Sequence, residues 1–171
     1  DFFAPYRRGW SLWTRTLSVD DDLAAAAESA GLAVFGDGAP QLICRAPPAT
    51  EPLPARVTIA AIDPLDDRAA ADEFARISGE AYVALGAAAD VTASHFGGAK
   101  ALRDPNTHAV LARLDGEPVG ASLILLSHGI AGVYWVGVLE QARGHGIAAA
   151  MMRHITNLAF DLGAANVQLQ A

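Results

Sequence analysis

From residue 56 onward, apolar and polar positions recur with regular periods that assign the elements in order. Residues 57–62 form an apolar run of strand length. Over 66–82, Phe74, Ile77 and Ala81 share one helical face, and Gly86 breaks the pattern. A second helix is expected over 90–102, interrupted by Gly97-Gly98. Two apolar runs, 108–114 and 119–127, flank Asp115-Gly116-Glu117-Pro118, and Asp-Gly predicts a hairpin because both turn residues tolerate positive φ. Residues 130–138 follow the tight Ser127-His128-Gly129 connection as a third antiparallel strand. Over 146–162, Ile147, Met151, Ile155, Leu158 and Leu162 fall on one helical face, with Arg153, Asn157 and Asp161 off it. Gly163 ends that helix. Residues 167–170 arrive after a helical crossover, so this strand is expected to lie parallel to its predecessor. The pattern is that of a mixed α/β fold.

The first third is less regular. Residues 10–16 alternate as a half-buried strand would, with Trp13 as core. Asp20-Asp21-Asp22 then opens an alanine-rich helix over 23–30, closed by Gly31. Three consecutive acids with no other ligand nearby suit a solvated helix start rather than a metal site, and no metal is expected. Residues 41–45 read as a short strand. Pro47, Pro48, Pro52 and Pro54 make the following stretch extended and stiff, a linker. The expected organisation is a strand, helix, strand unit over 1–50 and a larger domain over 56–171.

Composition narrows the class. At 171 residues and 52% hydrophobic, the chain supports one good core and little more. Its net charge of -7 comes from acids spread thinly, with no Lys/Arg stripe, which excludes a nucleic-acid partner. Cys44 is the single cysteine, so no internal disulfide, cysteine zinc site or redox pair can form. The longest apolar runs are too short and turn-bounded to span a bilayer, and no signal-peptide core is visible. A soluble, cytoplasmic protein without membrane partners is expected. The chain opens at Asp1 and stops at Ala171 directly after a strand, so further residues are expected beyond both ends.

The candidate chemistry lies in Gln141-Ala142-Arg143-Gly144-His145-Gly146-Ile147-Ala148, between an apolar strand and an amphipathic helix. Such a turn gathers free helix-end N–H groups at the positive end of the helix dipole. Gly144 and Gly146 remove side chains that would keep a diphosphate from the backbone, and Arg143 adds a full charge. The run from Gly144 to Ala149 also satisfies a dinucleotide fingerprint, but no Asp or Glu follows near Ala164-Ala165-Asn166 to hold a ribose. The upstream antiparallel hairpin is likewise wrong for a doubly wound nucleotide fold. No Gly-Lys-Ser/Thr follows, which removes a Walker-type loop.

Gln141-x-x-Gly144-x-Gly146 resembles the Q/R-x-x-G-x-G/A acyl-CoA motif of the GNAT superfamily, and the run from Val138 to Ala148 resembles that family's strand, loop and helix start, with Leu139 in place of a frequent proline. The resemblance is good over 107–171, looser over 56–106 and faint before. It implies a GNAT-like acyl-CoA N-acyltransferase fold that uses acetyl-CoA as cosubstrate. Val136, Gly137 and Val138 would pair with the pantetheine arm like an added strand, and Arg143, Gly144, His145, Gly146, Ile147 and Ala148 would hold the pyrophosphate. The acceptor, an amine of a small molecule or peptide, would attack the thioester directly. The resemblance also makes the N-terminal unit look like the tail of a degenerate first GNAT copy, without a cofactor site of its own.

Two departures from the family matter. The family often carries a Glu on or near its fourth strand, and residues 130–138 hold no acid. It also places a tyrosine on a helix after the fifth strand, and this chain ends before one. His128 and His145 are conceivable proton acceptors, each also readable as a solvated or structural histidine. Tyr134 and Trp135 are expected to alternate across their strand, one walling an acceptor pocket and one packing inward. The catalytic residues are therefore unassigned, and a CoA-binding regulatory or structural module without turnover is the alternative.

Overall fold

Two tight turns set the frame of the sheet. Asp115 (φ +52°) and Gly116 (φ +87°) link Leu114 to its partner Glu117, and His128 (φ +51°) and Gly129 (φ +75°) link Ser127 to Ile130. Positive φ at both central residues gives a turn whose twist matches that of the strands it joins. These features belong to a computed structural model that describes residues 12, 14, 20–34, 39–97 and 100–170.

The chain forms two compact units, Asp1–Ala39 and Pro40–Ala171. The first contains helix α1 (Asp21–Ser29), with Asp21 and Asp22 in its first turn and Gly31 (φ +84°) just past its end. The strand expected over 10–16, Trp13 included, lies outside the described residues.

The second unit runs β1 (Gln41–Cys44), β2 (Val57–Ala61), α2 (Arg68–Tyr82), α3 (Ala89–Phe96), β3 (Thr107–Leu114), β4 (Glu117–Ser127), β5 (Ile130–Val138), α4 (Ile147–Asp161) and β6 (Asn166–Gln170). One six-stranded sheet has the order β1-β6-β5-β4-β3-β2. Every neighbouring pair is antiparallel except β5–β6, where the helical crossover through α4 brings a parallel step. The expected mixed α/β fold, an antiparallel meander followed by a parallel strand, is the one observed.

Proximity in sequence groups β1 with the N-terminal unit, yet it hydrogen-bonds along β6, with Gln41 opposite Gln170 and Cys44 opposite Val167. Without β1, β6 would end the sheet with an unpaired ladder of N–H and C=O groups, which the arriving strand completes. Residues 47–54 form no helix or strand.

Helices cover both faces. Phe74, Ile77 and Phe96 pack with Ala109, Leu111, Ala121 and Leu123 on one side. Ile147, Met151, Ile155 and Ala159 pack against Val110, Ala112, Ile124 and Val133 on the other. The middle of β3, Ala109 to Ala112, is unbroken apolar because alternate residues enter two cores. Asp67 caps α2 by accepting from the Ala70 N–H at 2.9 Å, a contact worth about 1 kcal/mol.

Two boundaries differ from the sequence reading. α3 stops at Phe96 instead of continuing to residue 102, because Gly97 adopts φ -54°, ψ 132° and Ala101–Arg103 forms a separate 3₁₀ turn. Leu162, expected on the buried face of α4, is 40% exposed, since the helix ends one residue earlier.

Candidate functional site

β5 and β6 run together only from Ile130 opposite Asn166 to Val133 opposite Leu169. Beyond Val133, residues 134–138 stay paired to β4 alone among the described strands, so their other edge is open backbone. The parting coincides with a bulge. Ala121 faces Gly137 while Leu123 faces Tyr134, leaving an extra residue on β5 opposite Ser122. Trp135 absorbs the bulge with φ +56°, a left-handed backbone uncommon for a bulky side chain.

The bulge also overturns the expected alternation of Tyr134 and Trp135. Val133 and Val136 pack with the α4 core, whereas Trp135 packs with the α2–α3 core and Gly137 lies against Ala81 and Tyr82 of α2. The Tyr134 ring lies over Gly132 and is 47% exposed. An inserted residue breaks the period of two, so adjacent side chains no longer point to opposite faces.

Past β5, the Leu139 N–H donates to the Val119 carbonyl at 2.9 Å and Ala142 is buried, which anchors a single 3₁₀ turn, Glu140–Ala142. Gly144 (φ +81°) and Gly146 (φ +72°) then take left-handed conformations. A Cβ on Gly144 would meet no atom within 4 Å, and on Gly146 only Pro54 Cγ at 3.5 Å. These glycines are therefore required by the backbone path, and the space beside them is open.

The first helical bond of α4 is Ala150 N–H to Gly146 carbonyl at 3.0 Å, and no side chain caps the helix. The N–H groups of Ile147, Ala148 and Ala149 consequently have no intrahelical acceptor and sit at the positive end of the dipole. They open onto a cleft of about 320 Å³, whose wall includes Val138, Arg143, Gly144, Gly146, Ile147 and Ala148. Of the other residues expected there, His145 turns its Nδ1 to the Arg143 and Ala142 carbonyls, at 3.1 and 3.3 Å, bracing the loop. Val136 and Gly137 lie on the open stretch of β5. Arg143 is exposed and donates from Nε to the Val138 carbonyl at 3.3 Å. The arrangement suits an anion held by backbone amides with an extended chain laid along β5.

An aromatic corner lies on the α2–α3 side of the bulge, and nothing in the sequence pattern points to it. The Trp135 ring centroid is 4.8 Å from that of Tyr82 and 5.4 Å from that of Phe96. Burial raises the Tyr82 phenol above its ordinary value, and a backbone hydrogen bond at Val136 draws it partly back. Among the described residues, no group of three His, Cys, Asp or Glu side chains could hold a metal ion, and no helix is long and apolar enough to cross a membrane.

The chain matches the acetyltransferase (GNAT) family over residues 71–171, from α2 through β6. No curated protein sequence matches it. Among solved structures it is similar to a GCN5-related N-acetyltransferase from Kribbella flavida, with 26% identity and a TM-score of 0.58 over 79% of this chain and 48% of that one. A GCN5-related N-acetyltransferase from Sphaerobacter thermophilus shares the fold, with 20% identity and a TM-score of 0.58 over 90% and 48% of the two chains. A ribosomal-protein-alanine N-acetyltransferase from Brucella melitensis biovar Abortus 2308 is 28% identical, with a TM-score of 0.52 over 67% of this chain and 79% of that one. The chain thus spans about half the length of the first two relatives.

Proposed function

The chain belongs to the acetyltransferase (GNAT) family, and from that premise we propose that it transfers an acetyl group from acetyl-CoA to an amine of a small molecule or peptide by direct attack on the thioester. One observation carries this reading: the uncapped start of α4, with Gly144 and Gly146 in left-handed conformations, opens onto a cleft beside Arg143 at the end of β5. Free N–H groups at a helix start favour a diphosphate, and the open edge of residues 136–138 favours an amide-bearing arm added as a strand.

The chemistry asks little of the protein beyond placement and proton transfer. The amine nitrogen bonds to the carbonyl carbon, the C–S bond breaks, and the sulfur leaves as a thiolate that takes up a proton. An alkylamine is protonated by about three orders of magnitude at neutral pH, so a proton must first be removed.

A CoA-binding module without turnover is the second reading, favoured by the lack of any carboxylate on β5. Calorimetric titration with acetyl-CoA, followed by thiol release across an amine panel, separates the two. Binding with release supports acetyl transfer, binding without release for every amine supports the module, and absence of binding overturns both.

A further inference from the structure

On the α2–α3 side of the bulge stands a histidine, a side chain able to accept a proton, whereas β5 carries no carboxylate. His95 stands in the last turn of α3, exposed, with its ring centroid 6.2 Å from that of Trp135. Its Nδ1 lies 2.8 Å from the Val91 carbonyl. A carbonyl oxygen only accepts, so Nδ1 carries a hydrogen, and in the neutral ring the lone pair is on Nε2. Trp135 belongs to the stretch of β5 beyond Val133, where pairing to β6 has ended. An aromatic face attracts an ammonium group, and an imidazole lone pair beside it can take the proton that must leave.

The other histidines are placed differently. His128 sits in the β4–β5 turn, seven residues before Trp135 on an extended strand and so roughly 20 Å away. His145 lies in the loop past the end of β5 at Val138, read above as the diphosphate cradle, and braces that loop through Nδ1. His154 lies on α4, across the sheet, and His108 shares its face of β3 with Val110, which packs with the α4 core.

We propose that His95 is the general base of this acetyltransferase, taking a proton through Nε2 from an ammonium acceptor received against the Trp135 ring. This rests on the acetyl-transfer reading above. One ammonium proton passes to Nε2 and on to water, the freed lone pair forms the N–C bond as the C–S bond breaks, and the second proton lost by nitrogen ends on the thiolate sulfur.

The test compares His95→Ala, His95→Gln and His128→Ala in the full chain, with the amine on which the unaltered protein is most active. His95→Ala is expected to lower kcat by about 100-fold or more, with acetyl-CoA affinity unchanged by calorimetry and part of the rate restored by added imidazole. His95→Gln, which keeps a donor toward Val91, should be equally slow, and His128→Ala should turn over normally. Normal turnover by His95→Ala, or recovery of the rate by glutamine, overturns the proposal, because the ring would then be dispensable or merely structural. If the unaltered protein binds acetyl-CoA but releases no thiol with any amine, the acetyl-transfer reading itself fails.

Discussion

Arg143 donates from Nε to the Val138 carbonyl at 3.3 Å, closing the loop onto the end of the strand that leads into it. The bond holds the guanidinium at the rim of the cleft that both residues line. Its charge is exposed, so its pull on a diphosphate is moderated by solvent. Arg143→Met is expected to weaken acetyl-CoA binding by about 10-fold, corresponding to one charge-assisted hydrogen bond in water. Calorimetry at low and high salt should show that difference shrinking as salt rises.

Gly146→Asp tests the cradle. At φ +72° any side chain is strained, and a carboxylate there would project a negative charge into the cleft. Acetyl-CoA affinity should fall by about 100-fold or more, whereas Gly146→Ala should show only the backbone strain of roughly 1 kcal/mol. Equal affinities for the two variants would count against a diphosphate at this position.

Ser122 sits opposite the bulge with a fully buried hydroxyl that has no hydrogen-bond partner. A buried polar group left unpaired costs about 1–3 kcal/mol. Ser122→Ala should therefore unfold at the same or a higher denaturant midpoint, and a lower midpoint would reveal a partner for the hydroxyl.

At Gly79 α2 approaches α3 closely, since a Cβ there would lie 2.5 Å from the Ala89 carbonyl oxygen. Gly79→Ala must push the helices apart against backbone, at a cost of about 1–3 kcal/mol. Because α3 carries His95, turnover should fall along with stability, while acetyl-CoA affinity, which depends on the loop after Val138 and the start of α4 rather than on α3, should hold. A fluorescence unfolding curve and a calorimetric titration check the two halves.

Tyr82 gives the fold an alkaline limit. Its phenol is raised from the ordinary value of 10.0 by burial, a backbone hydrogen bond at Val136 offsetting part of the effect. The folded chain therefore holds this proton more tightly than the unfolded one. The contribution is fully present below pH 10.0 and is lost as pH rises through the higher folded value. Tyr82→Phe should flatten the fall in denaturation midpoint as pH rises above 10.0.

Contiguous residues determined much of this molecule. Asp115-Gly116, the face of Phe74, Ile77 and Ala81, and the Gly144-His145-Gly146 turn into α4 are legible because a turn, a helix face and a helix start each depend on residues within a few positions of one another. What the sequence could not reveal depends on pairs far apart in the chain. β1 finds β6 across more than a hundred residues, the extra residue in β5 is defined only by its register on β4, and Tyr82, His95 and Trp135 meet only once α2 and α3 lie on the sheet. Local periodicity carries no information about which distant edge a strand will join or which ring will face it. Packing and register decided those, and with them the side of β5 on which an acceptor amine would be received.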